Sequence, residues 1–320
     1  MLLEVKGLKK HFPIKKGGFF QRHDRFHAAV DGVDLTLREG ETVGLVGESG
    51  SGKSTLARAI LRLIEPTAGE VYYKGVDLLS LSKEEMRKMR RKLQIIFQDP
   101  YASLNPRMTI LDIVAEPLDI HFSLPRTERR EQVAAILERV GLPSSSLHRY
   151  PHEFSGGQRQ RVGIARAMIL HPELVVADEP VSALDVSVQA QVMELLAEFQ
   201  ETFGLSYLFI AHDLALVESF ADRTAVMYLG KIVELAKSEV LYKNPLHPYT
   251  RELLSAVPIP DPRLRGKRER PGGADRPFAS SCDHRPEESP RLVEAEPEHF
   301  VACHLRPVEI DRRSRTGSGV

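Results

Sequence analysis

The residues Gly47-Glu-Ser-Gly-Ser-Gly-Lys-Ser54 have the types and spacing of a phosphate cradle. Glycines let backbone N–H groups converge on phosphate oxygens, and a following helix N-terminus adds positive potential. The candidate phosphate contacts are therefore Gly47, Glu48, Ser49, Gly50, Ser51, Gly52, Lys53, Ser54 and Thr55. Lys53 is suited to reach the β- and γ-phosphates, and the Ser54 hydroxyl to coordinate Mg²⁺. A second site is acidic: in Leu174-Val-Val-Ala-Asp178-Glu179 two carboxylates follow a short apolar run. Asp178 there would hold Mg²⁺ through water, and Glu179 would orient and deprotonate an attacking water. A glycine-rich turn and a solvated carboxylate pair are the bland alternatives. They lose ground only if the right elements surround both segments.

Those elements are legible. Residues 41–46 read as a strand running into the glycine-rich turn, and 54–63 as a helix after it. Residues 71–73, 174–177 and 206–210 read as strands, the latter two apolar enough to be buried in a parallel sheet. Ser82-Lys-Glu-Glu85 is a capping box opening a charged helix, and Val133, Ile136, Leu137 and Val140 follow a 3.6-residue period that Gly141 stops. Residues 189–203 form another helix, and 228–234 hold a hairpin-like Leu-Gly-Lys turn. Strands alternating with helices indicate an α/β fold with a mostly parallel core sheet.

Composition bounds the rest. The chain of 320 residues carries 44 Lys plus Arg against 44 Asp plus Glu, with 42% hydrophobic residues. This is a folded-protein balance, without the basic excess of a nucleic-acid coat. There is no apolar run of membrane-spanning length and no secretory pattern at the start, so a cytoplasmic setting is expected. From Pro258 onward lie nine of the 21 prolines and a basic run at 263–270. The expected division is a compact part at 1–257 and a proline-rich appendage at 258–320.

Further motifs point to one family. Phe154-Ser-Gly-Gly-Gln158 resembles the signature of ATP-binding cassette (ABC) ATPases; locally, Ser155 and Gln158 form a capping box ahead of a helix. Gln98, the signature, Asp178-Glu179, Ser182-Ala-Leu-Asp185 and His212 follow the phosphate loop in the family's order. The resemblance implies a P-loop NTPase ABC cassette. It would have an N-terminal antiparallel β part and a helical subdomain at about 99–170 that carries the signature. It implies ATP and Mg²⁺, the latter held by Ser54, Gln98 and Asp178. Glu179, His212, Gln98 and Lys53 would be the catalytic group, with His212 a γ-phosphate switch. Ser155, Gly156, Gly157 and Gln158 would meet the nucleotide of a facing subunit, and Asp185 would couple the two sites. Phe12 is similar to the aromatic that stacks on adenine, in a loop that 13–27 lengthens.

A narrower resemblance, to the ATPase subunits of dipeptide and oligopeptide importers and to their F-type member, rests on four stretches. These are 44–50, Gln98-Asp-Pro-Tyr-Ala-Ser-Leu-Asn-Pro106, Asn244-Pro-Leu-His-Pro-Tyr249 and the early segment at 11–19. It implies ATP hydrolysis that drives peptide import. The chain would sit at the cytoplasmic face of the inner membrane, peripherally. Its partners would be transmembrane permease subunits, a second and related ATPase chain, and, through the complex, a periplasmic or extracellular solute-binding protein. Nickel or another small solute is the alternative cargo. A soluble ABC ATPase of DNA repair or translation is a further alternative, against which the lack of a coiled-coil interruption or a second cassette counts. Relatives often hold a cysteine-rich C-terminal motif. Cys282 and Cys303 alone are too few for an iron–sulfur cluster, so none is expected, and zinc binding with His284 and His304 is the weaker reading.

Overall fold

The computed structural model describes residues 1–14, 25–256 and 292–302. The basic run at 263–270, both cysteines, His284 and His304 lie outside them. The chain runs β1 (Leu3–Ile14), β2 (Arg25–Leu37), β3 (Thr42–Val46), α1 (Lys53–Ile60), β4 (Ala68–Tyr73), β5 (Val76–Asp77), α2 (Lys83–Met89) and β6 (Leu93–Ile96). Four helices follow: α3 (Pro100–Ser103), α4 (Ile110–His121), α5 (Arg126–Arg139) and α6 (Gly156–Met168). Then come β7 (Leu174–Asp178), α7 (Val186–Phe203), β8 (Ser206–Ile210), α8 (Leu214–Phe220), β9 (Arg223–Tyr228) and β10 (Lys231–Lys237). The described chain closes with α9 (Ser238–Lys243), α10 (Pro248–Ser255), β11 (Val293–Glu296) and β12 (His299–Val301).

The main sheet has the order β11-β12-β10-β9-β3-β8-β7-β6. From β9 to β6 all neighbours are parallel, and β10, β12 and β11 add an antiparallel margin. All five residues of β3, of β7 and of β8 are buried. Their side chains alternate between two cores, as the two-residue period of a strand requires. Val175, Ala177, Tyr207 and Phe209 face the core shared with α4–α6, whereas Leu174, Val176, Leu208 and Ile210 face the core under the second sheet. Burial on both faces is why these strands read as continuous apolar runs. The second sheet, order β2-β1-β4-β5, is antiparallel. The α/β cassette with an N-terminal antiparallel part and a helical segment is thus present as expected.

Three local differences have clear causes. The helix expected at 189–203 begins three residues earlier, at Val186, because the Asp185 carboxylate caps it by accepting from the Val188 N–H at 3.0 Å. The stretch from 13 to 27, read as a lengthened loop, is strand at both ends, with Ile14 paired to Arg25. Residues 293–301 fall in the segment expected as an appendage, yet they extend the main sheet: β12 pairs with β10. Glu298 in the β11–β12 turn also bridges Arg38 (3.1 Å) and Lys237 (2.8 Å).

One carboxylate joins the two sheets. Glu173, just before β7, accepts from the Tyr73 hydroxyl at 2.6 Å and pairs with Lys74 at 2.6 Å and Lys92 at 2.9 Å. Burial alone would raise this carboxyl; the hydrogen bonds from Lys74, Tyr73 and Lys92 outweigh it and hold it at about 2. A depressed folded value means stability that is present above the free-chain value near 4.5 and lost as pH falls toward 2. With solvent screening of these partly exposed charges, the contribution is about 1–2 kcal/mol. Glu173→Gln should therefore lower the urea midpoint at pH 7, and the gap from the wild type should narrow at pH 3. An equal gap at both pH values would show that the charge of Glu173 is not what matters.

Candidate nucleotide-binding site

The phosphate loop lies between the end of β3 and α1, and its shape is dictated by close backbone neighbours. Gly47 has φ 149°, and a Cβ there would lie 2.1 Å from the Met227 carbonyl oxygen. Gly52 has φ 109°, and a Cβ would lie 2.0 Å from that of Ala29. Ser51 is tied to the β9–β10 hairpin by the Gly230 N–H, which donates to its carbonyl at 2.9 Å. Helix α1 starts at Gly52 without a side-chain cap, so its first-turn N–H groups face the loop as anion donors. Lys53 is 5% exposed and donates to the carbonyls of Gly47 (2.7 Å) and Glu48 (2.9 Å). Burial pulls its ammonium below the usual range, against the raising fields of Glu179, Asp178 and Glu48.

Around this loop lies a cavity of about 340 Å³ lined by Phe12, His27, Ser49, Gly50, Gly52, Lys53, Ser54, Thr55, Gln98 and Glu179, among others. Phe12 is on β1 and 38% exposed, with the Lys10 ammonium 5.1 Å from its ring centre. His27 is its cross-strand partner on β2. Sequence reading missed His27, since only the strand register brings it beside Phe12.

The acidic strand end meets the loop directly. The Ser54 hydroxyl donates to Asp178 Oδ1 at 2.8 Å. Asp178 is 1% exposed, and its Oδ2 is buried with no hydrogen-bond partner among the described residues. Burial raises its carboxyl, opposed by the Ser54 hydroxyl and Arg58. A serine hydroxyl, one carboxylate with an orphaned oxygen and the nearby Gln98 amide suit Mg²⁺, which takes few protein ligands and keeps phosphates and water for the rest.

Next to Asp178, Glu179 is held in the left-handed region (φ 48°), with its N–H donating to the Ile210 carbonyl at 2.9 Å. This locks the carboxylate over the cavity. Its Oε2 accepts from Gln98 Nε2 at 2.8 Å and lies 3.2 Å from His212 Nδ1. Four sequence positions far apart thus converge: the loop, Gln98, Glu179 and His212. Gln98 also lines a second cavity, of about 720 Å³, with Arg58, Arg87, Arg90, Glu116 and Arg166.

Ser155, Gly156, Gly157, Gln158 and Asp185 do not line the phosphate cavity. They form a cluster of their own. Ser155 Oγ accepts from the Gln158 N–H (3.3 Å), and Gln158 Oε1 from the Ser155 N–H (3.0 Å). A Cβ on Gly157 would lie 2.4 Å from Val188, one turn into the helix that Asp185 caps. Gly157 therefore lets the ends of α6 and α7 touch, while Ser155, Gln158 and Asp185 remain exposed.

The family profile described as "ABC transporter" matches residues 30–182. The oligopeptide transport ATP-binding protein AppF of Bacillus subtilis (strain 168) is 53% identical over 320 residues, covering 95% of this chain and 97% of that one. The chain belongs to the ABC transporter family. OppF of the same organism, also named an oligopeptide transport ATP-binding protein, is 51% identical over 304 residues, with 94% and 96% covered. An "Oligopeptide/dipeptide transporter, C-terminal region" profile matches residues 233–288. The dimeric cassette MJ0796, in a post-hydrolysis state with ADP and Pi, superposes with a TM-score of 0.67 at 31% identity, covering 74% of this chain and 99% of that one. As an ABC ATPase, the chain binds ATP and couples its hydrolysis to transport. Among its described residues no helix is long and apolar enough to cross a membrane.

Proposed function

We propose that this chain is the ATP-hydrolysing subunit of an importer for di- and oligopeptides. The observation that carries the catalytic part is the Glu179 carboxylate, held by Gln98 and beside His212 at the rim of the phosphate cavity. Lys53 and the first-turn amides of α1 neutralise the β- and γ-phosphates, with Gly47 to Thr55 forming the cradle, and Phe12 stacks on the base. Glu179 accepts the proton of the attacking water, which Gln98 and His212 orient. Ser54, Gln98 and Asp178 would hold Mg²⁺, which would supply positive charge against the phosphates when bound. Ser155 and Gln158 are exposed, so that together with the backbone of Gly156 and Gly157 they can meet the nucleotide of a facing ATPase subunit, with Asp185 as the link between sites. Because Gln98 lines both cavities, the arginine-rimmed one is the seat of a permease subunit, and the site senses it through Gln98. Bound to a permease in this way, the chain sits at the cytoplasmic face of the membrane, peripherally.

The peptide cargo follows from the C-terminal profile and from the names of the relatives. The test is the intact complex, reconstituted in lipid with its permease, partner ATPase and solute-binding protein. Peptide-loaded binding protein should stimulate ATP hydrolysis. Stimulation by Ni²⁺ and not by peptides would overturn the cargo.

A further inference from the structure

Residues 244–249, Asn-Pro-Leu-His-Pro-Tyr, have no part in the chemistry above, yet they touch the loop that performs it. Tyr249 is 2% exposed, and its hydroxyl accepts from the Glu48 N–H at 3.1 Å. That N–H belongs to the same planar peptide as the Gly47 carbonyl, which accepts from the Lys53 ammonium at 2.7 Å. In a trans peptide the two groups point in opposite directions. One peptide plane is therefore pinned from one side by Tyr249 and from the other by Lys53.

Tyr249 is itself firmly placed. Its ring packs on Tyr228 with centroids 4.2 Å apart, and its own N–H donates to His247 Nδ1 at 3.2 Å. The N–H groups of Leu246 and His247 donate to the two oxygens of Glu234 at 2.7 and 3.0 Å. Glu234 is fully buried, and His299 on β12 brings its Nε2 to 2.7 Å from Glu234 Oε1. Burial pushes the Tyr249 phenol up to about 12, so the hydroxyl stays neutral at physiological pH.

We propose that Tyr249 is a positioning residue for the nucleotide site. Its hydroxyl orients the Gly47–Glu48 peptide and, through it, the Lys53 ammonium that meets the phosphates; this rests on the ATP-hydrolase reading above. The motif at 244–249 thus sets ATP affinity without touching the nucleotide.

The test uses the full-length chain and the reconstituted complex. Tyr249→Phe keeps the ring on Tyr228 and removes the hydroxyl that accepts from Glu48. Loss of this partly buried hydrogen bond predicts ATP binding weaker by about 3- to 10-fold. In the complex the KM for ATP should rise by the same factor, with kcat at saturating ATP unchanged, a split that a merely structural role would not produce. Glu48→Pro removes the donor at the other end, so the double variant should be no worse than the poorer single one. Wild-type affinity in Tyr249→Phe, or full addition of the two effects, would overturn the proposal. A wild-type chain that does not bind ATP would instead overturn the ATP-hydrolase reading on which the proposal rests.

Discussion

Glu179→Gln is expected to stop turnover while leaving ATP bound. The amide fills the same volume and can still meet Gln98, but it cannot take a proton. Loss of a general base costs about 10²–10⁴-fold in rate. Removing a negative charge beside the γ-phosphate also relieves repulsion, so affinity for ATP should rise and the ATP-bound dimer persist. Single-turnover release of phosphate and light scattering with ATP read both effects. The backbone at 179 already holds a left-handed conformation, and Gln bears the same cost there as Glu, so the variant should fold normally. Hydrolysis at the wild-type rate would sink the assignment of Glu179 as the base.

Gly52→Ala should abolish nucleotide binding by a different route. The left-handed φ of 109° alone costs an alanine about 1–3 kcal/mol. The larger problem is the added Cβ, 2.0 Å from the Ala29 carbonyl oxygen on β2. Either β2 or the start of α1 must move, and either shift breaks the row of amides that faces the phosphates. Titration with a fluorescent ATP analogue should show no saturation, and calorimetry a lowered midpoint. Ordinary binding by this variant would mean that the loop does not need the conformation described.

The phosphate loop, the acidic strand end and the signature cap could be read from the sequence because each is local. Their chemistry depends on residues a few positions apart, and the buried strands announce themselves by unbroken apolar runs. His27 could not be read this way: it faces the cavity only because β1 and β2 pair in one register, and a single histidine beside a phenylalanine has no pattern of its own. Tyr249 was visible as part of a motif, but its contact with Glu48 spans 201 residues, a distance over which spacing says nothing. The pairing of β12 with β10 was hidden for the same reason, since His299 and Glu234 make sense of each other only once both are buried. The early start of α7 is the opposite case: the cap that Asp185 gives the Val188 N–H spans three residues and is as local as the signature cap.

The place of β3 in the sheet bears on how this chain assembles. Its neighbours, β8 and β9, are made far later: the Thr42 N–H donates to Asp222, 180 residues on, and the Gly40 N–H to Ser206, 166 residues on. During synthesis the phosphate loop leaves the ribosome long before either flanking strand exists. Closing such distant pairings is slow, because chain entropy must be lost before any contact rewards it. Until then β3 is a bare apolar strand, open to wrong pairings for most of the chain's synthesis. ATP cannot shelter it meanwhile, because its cradle is among the last parts of the molecule to form.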